Sequence, residues 1–116
     1  LSDGEDTASG IPFQDALDYA RRSGVSIYTI GLNIGALQVG IRGNLSQLAK
    51  ETGGRSFFIQ KAAELKTVYG QIDKELRSQY LIAYSSDAPQ SKRDFRTVEV
   101  KVKGRKKART ISGYYP

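Results

Sequence analysis

The chain has no cysteine, histidine, methionine or tryptophan among its 116 residues. Without cysteine there is no disulfide framework and no thiolate nucleophile. With histidine missing too, the usual zinc ligands and the commonest general acid or base are gone. A nucleophile, a base and an orienting group do not occur together, so the sequence reads as non-enzymatic. The lack of cysteine fits either a reducing or an oxidising compartment. Apolar runs stop after a handful of residues, far short of the roughly 20 that cross a bilayer, and no basic-then-apolar leader opens the chain.

What is present fits one globular unit. Hydrophobic residues make up 39% and charged residues 26%, with 12 glycines, which is ordinary for a folded domain and unlike a disordered or collagen-like chain. A chain of this length can bury roughly two-thirds of its unfolded surface. The net charge of +6 is unevenly spread: residues 1–18 carry five acids and no base, and residues 92–109 carry nine bases and two acids. The basic stretch, with Lys92, Arg93, Lys101, Lys103, Arg105, Lys106, Lys107 and Arg109, is an alternative surface for nucleic acid or another anion. Its plainer reading is a solvated turn between strands.

Along the chain, Leu1-Ser2-Asp3-Gly4 reads as the end of a buried strand with a carboxylate on the following turn, and with nothing apolar ahead of it the chain is expected to be a piece of a longer protein. Phe13, Ala16, Leu17 and Ala20 recur at helical spacing up to Ser23, and Gly24 stops that helix. Val25–Leu32 is nearly continuous in apolar character and reads as a central parallel strand. Residues 33–43, with Gly35, Gly40 and Gly43, are expected to form a mobile loop at the same sheet edge as Asp3. Asn44 is the expected N-cap of a short helix that ends at Thr52-Gly53-Gly54. A strand over 55–60 follows. Leu65, Val68, Tyr69, Ile72 and Leu76 then make the cleanest helical stripe in the chain.

From Gln79 the rhythm changes to strands at 80–84, 98–102 and 108–115, expected to be antiparallel. The fold class is therefore α/β: a doubly wound, mostly parallel sheet flanked by helices, with a C-terminal antiparallel β extension. The division is 1–78 for the α/β part and 79–116 for the extension. Phe57, Phe58, Tyr69, Tyr80 and Tyr84 are read mainly as core residues rather than as a stacking platform for bases. Gly53-Gly54 reads as a helix stop, since a strand and not a helix follows it. The spacing of Asp3, Glu5, Asp6 and Thr7 does not match a calcium-loop template.

The segments Leu1-Ser2-Asp3-Gly4-Glu5-Asp6, Ala20–Leu32, Leu48–Phe58, Glu75–Tyr84 and Ser112–Pro116, in that order, resemble the C-terminal half of a von Willebrand factor A domain, of the acidobacterial "VWFA-related" type. The resemblance implies a protein-binding or adhesion module with a metal-ion-dependent adhesion site for Mg²⁺ or Mn²⁺. Asp3 matches only the third element of that site, and the Asp-x-Ser-x-Ser and Thr elements would lie outside this chain. Binding of the ion by these residues alone is expected to be weak or absent, because Mg²⁺ requires several oxygens in octahedral order. Asn33, Gly35, Gly40 and Arg42 are the expected partner-contacting residues beside the metal edge. The resemblance also implies a protein ligand that offers a carboxylate, and an extracellular or periplasmic setting. Exposed sheet edges add a risk of self-association or domain swapping.

Overall fold

The computed structural model describes residues 10, 12–87, 89, 94–104 and 107–116. The first helix, α1, spans Phe13–Ser23 and presents Leu17 and Ala20 inward. It ends where Gly24 turns left-handed at φ 68°, a conformation that only glycine adopts without steric cost. Strand β1, Thr29–Leu32, lies parallel to β2, Ser56–Ile59, with Thr29 opposite Ser56 and Leu32 opposite Ile59. The crossover between them is α2, Val39–Glu51. A 3₁₀ turn at Ala62–Glu64 leads into α3, Leu65–Arg77. The Glu64 carboxylate accepts the backbone N–H groups of Gln60 and Lys61, both at 2.9 Å. Those hydrogen bonds, Lys61's first, hold its carboxyl below the ordinary glutamate value.

The two faces of the parallel pair are covered differently. Phe57, Ile59 and Val68 form a buried cluster flanked by Tyr28, Ile30, Leu65 and Ile72, so α3 covers one face. On the other face the Thr29 and Ser56 hydroxyls both donate to the Leu45 carbonyl of α2, at 3.1 and 3.3 Å. One helix carbonyl thus ties both strands to the crossover. Helix α1 packs against α2. The result is an α/β arrangement with a small parallel sheet between helices.

The end of α2 explains why the strands meet. Thr52 is its C-cap, and Gly53 follows at φ 80°. The Gly53 N–H donates to the Lys50 carbonyl and the Gly54 N–H to the Ala49 carbonyl, at 3.3 and 2.9 Å, which is the double closure of a Schellman motif. The buried Thr52 hydroxyl donates to the Leu48 carbonyl at 2.9 Å and accepts the Ile27 N–H at 3.0 Å. A β-carbon on Gly54 would overlap the Ile27 carbonyl oxygen and lie 2.6 Å from its carbon. This approach is between backbones, so no rotamer change could relieve it.

A second, antiparallel pair is made by β3, Arg96–Thr97, and β4, Gly113–Tyr114. It sits on the C-terminal ends of α1 and α2. The Ser112 N–H and hydroxyl both donate to the Glu51 carbonyl at 3.2 Å, and the hydroxyl also reaches the Glu51 carboxylate. Arg21 bridges Asp18 and Glu51, each at 3.2 Å, beneath the Phe95 ring. Arg22 lies 3.8 Å from the centre of the Tyr115 ring, whose hydroxyl donates to Asp18 at 3.2 Å.

Several expectations are corrected. The loop expected over 33–43 ends at Gln38, so Gly40, Arg42 and Asn44 lie inside α2 and Asn44 caps nothing. Ile41, Leu45, Leu48 and Ala49 provide inward contacts that outweigh the helix cost of about 1 kcal/mol for each glycine. Gly40 and Gly43 face open space. The strand expected over 25–32 is paired only from Thr29. The strand expected at Tyr80–Tyr84 does not form. Tyr80 and Leu81 are 91% and 99% exposed, and no neighbouring strand among the described residues takes up their backbone groups. Of the five aromatics read as core, Phe57 alone is buried, while Tyr69, Tyr80 and Tyr84 are exposed. No helix among the described residues is long and apolar enough to cross a membrane.

The Thr52 hydroxyl carries the polar link between α2 and the lead-in to β1, and removing it leaves the half-buried Ile27 N–H without that partner. Thr52→Ala is expected to lower unfolding free energy by about 1–3 kcal/mol, read by chemical denaturation, and Thr52→Ser should recover most of that loss.

Candidate functional site

In an open parallel sheet, the carboxyl ends of the strands and the loops that leave them form the usual binding rim. Here that rim holds the segment from Asn33 to Gln38, which carries the chain from β1 into α2. Asn33 adopts a left-handed conformation at φ 55°, which asparagine tolerates better than most residues. Its N–H donates to the Ile59 carbonyl at 2.7 Å, so the loop leaves β1 while still pinned to the end of β2.

The next residues are braced from both sides. Ile34 is buried. The Gly35 N–H donates to the Gln38 side-chain oxygen at 2.9 Å, and the Gly35 carbonyl accepts the Gln38 N–H at 3.0 Å. Arg42, one turn into α2, donates from Nη1 to the Ile34 carbonyl at 3.1 Å, and its guanidinium lies 4.0 Å from the centre of the Phe58 ring. A segment expected to be mobile is thus closed by a side-chain clasp, a turn and a cation–π contact. The large apolar side chains from 35 to 39 that remain outside this brace are Leu37, 97% exposed, and Val39, also exposed.

Glycine at position 31 makes the brace possible. A β-carbon there would lie 2.7 Å from the Phe58 ring and 2.8 Å from the Ile34 Cδ1. The Phe58 ring that carries Arg42 and the Ile34 that anchors the loop both occupy the space left by Gly31.

Of the residues singled out in the sequence, Asn33, Gly35 and Arg42 come together at this rim. Gly40 lies on the exposed side of the first turn of α2. Asp3 lies outside the described residues, as do Lys92, Arg93, Arg105 and Lys106. Among the described residues no group of three Asp, Glu, His or Cys side chains is placed to hold a metal ion. The only carboxylate within the described 59–64 stretch is Glu64, which is engaged by two backbone N–H groups. The described rim by itself therefore does not fit Mg²⁺ or Mn²⁺. Of the remaining basic residues, Lys101 pairs with Glu99 at 3.6 Å and Arg109 pairs with Glu75 at 2.8 Å. Lys103 and Lys107 are exposed. Sequence reasoning missed Gln38 and Leu37, because three nearby glycines hid the start of the helix that positions them.

Gly31→Ala is expected to displace Phe58 and Ile34 and cost about 1–3 kcal/mol, with loss of amide protection from Gly35 to Arg42. Gly43→Ala, on an open helical face, should instead stabilise by about 0.4–1 kcal/mol. Denaturation with hydrogen exchange separates the two.

No family model, curated protein or solved structure matches the chain.

Proposed function

We propose that the chain is a non-catalytic protein-binding module of the von Willebrand factor A kind. Its partner meets the carboxyl rim of the parallel pair, and binding depends on a divalent cation held beside that rim. The observation that supports this reading is the loop clasped by Gln38 and Arg42, which holds Leu37 and Val39 both exposed. Apolar side chains on a preorganised loop make good anchors for a partner, because little entropy is lost when the contact forms.

Asn33 is exposed on the same loop, and the Arg42 guanidinium stands on the first turn of α2. Of the cation's ligands, Asp3 lies outside the described residues, and the Asp-x-Ser-x-Ser and Thr elements would lie outside this chain. When bound, the ion would offer an open coordination position to a partner carboxylate. No residue in this reading makes or breaks a covalent bond.

Mn²⁺ is a direct probe, since its paramagnetism broadens nearby amide signals even when binding is weak. In a longer protein that also carries the Asp-x-Ser-x-Ser and Thr elements, titration with millimolar Mn²⁺ is expected to broaden the amides of Asn33 to Gln38 selectively, and Asp3→Ala should weaken that effect. Rim amides that stay sharp, together with salt-sensitive binding of a single-stranded oligonucleotide, would contradict the reading and favour the anionic-surface alternative.

A further inference from the structure

The opposite edge of the parallel pair, where β2 begins, gathers positive charge. Arg55, Lys107 and Arg109 line a cleft of about 430 Å³. Arg55 and Arg109 donate to the same Glu75 oxygen, at 2.7 and 2.8 Å, and the Arg55 guanidinium lies 4.8 Å from the centre of the Phe57 ring. The Glu75 side chain is 20% exposed. Burial works against its ionised form, but hydrogen bonds from Arg109 and Arg55 and the charges behind them outweigh that, holding the carboxyl below its ordinary value.

Glu75 is therefore a carboxylate at neutral pH, and the cluster sets three positive charges against one negative, a surplus of two. Each guanidinium has five N–H donors, and the Glu75 contacts use one apiece. Arg55 and Arg109 are 47% and 49% exposed, so donors remain free to reach a ligand. The shared carboxylate and the Phe57 ring hold the forks in place in advance, and a planar fork matches the oxygens of a phosphate group.

We propose that this cleft binds a phosphomonoester dianion, with Arg55 and Arg109 donating to its oxygens and Lys107 supplying the third positive charge. A dianion neutralises the surplus, whereas a monoanion leaves half of it. The volume falls within the range of small-molecule pockets, roughly 300–1,000 Å³. Among the described residues the cleft is lined by three cations, which match a single phosphate group, whereas a nucleic-acid strand would draw on cations beyond it. The ligand class is therefore inorganic phosphate or a small phosphorylated molecule. The cleft lies at the amino edge of β2, away from the Asn33–Gln38 rim, and stands whether or not that rim binds a protein.

The test is titration of the full chain with inorganic phosphate at pH 7.5, where a phosphomonoester is largely dianionic, at ionic strength held constant with chloride. Amide and arginine side-chain NMR signals report the site. Saturable shifts are expected at Arg55, Lys107 and Arg109. Affinity should fall tenfold or more in Arg109→Gln and several-fold in Lys107→Gln, which leaves the Glu75 brace intact, while Lys101→Gln should bind as the parent does. Shifts spread evenly over the chain, or a Lys107→Gln variant that binds unchanged, would overturn the proposal. So would tighter binding of a thymidine oligonucleotide or of phosphatidic-acid vesicles than of inorganic phosphate.

Discussion

The parallel pair depends on a point where two backbones meet with no side chain between them. Gly54 sits against the Ile27 carbonyl so closely that any β-carbon would overlap it. Two residues earlier the Thr52 hydroxyl accepts the Ile27 N–H. The end of α2 is thereby fixed to the lead-in of β1, and the chain leaving that point can only run alongside β1. Register then follows from the ladder, with the Thr29 N–H donating to the Arg55 carbonyl at 3.1 Å.

Both ends of the strand pair inherit their geometry from this contact. At the carboxyl end the register places Phe58 opposite Gly31, and the missing β-carbon at Gly31 lets Ile34 and Arg42 close the rim. At the amino end the same register sets Arg55 at the first step of β2, within reach of Glu75 on α3. One rim is apolar and braced by a helix start, and the other is cationic and braced by a half-buried carboxylate. The antiparallel pair is held separately, through Ser112 on Glu51 and Tyr115 on Asp18 and Arg22. Gly53 contributes there too: a β-carbon on it would lie 3.1 Å from the Ile111 nitrogen.

Local features were legible where the signal was local. The stripe from Phe13 to Ala20 and its stop at Gly24 match α1, and the stripe from Leu65 onward matches α3. Strand β2 lies within the expected 55–60 stretch, and the Gly53-Gly54 stop is realised as a Schellman closure. The start of α2 was hidden because Gly35, Gly40 and Gly43 dilute the helical period, and helix stability there comes from tertiary contacts of Ile41, Leu45 and Ala49. Tyr80–Tyr84 has strand-like composition, but a strand needs a partner that takes up its backbone groups, and Tyr84 meets β4 through the Tyr114 side chain instead. The Arg55–Glu75–Arg109 cluster left no trace in sequence, since its members are 20 and 34 positions apart and meet only once β2, α3 and the C-terminal segment are assembled. Asp3, the residue on which the sequence reading leaned most, lies outside the described residues, so the rim is defined by Asn33, Ile34, Gln38 and Arg42.

Hydrogen exchange on Gly54→Ala tests the central contact most directly. The added methyl group must push α2 away from Ile27, at a cost of at least about 2 kcal/mol. Protection is expected to drop together at Ile27, across β1 and β2, and at Asn33, while the amides within α3 keep more of theirs. A Gly54→Ala protein with parental protection across β1 and β2 would show that the strands are held together by something other than this backbone contact, and would contradict the account.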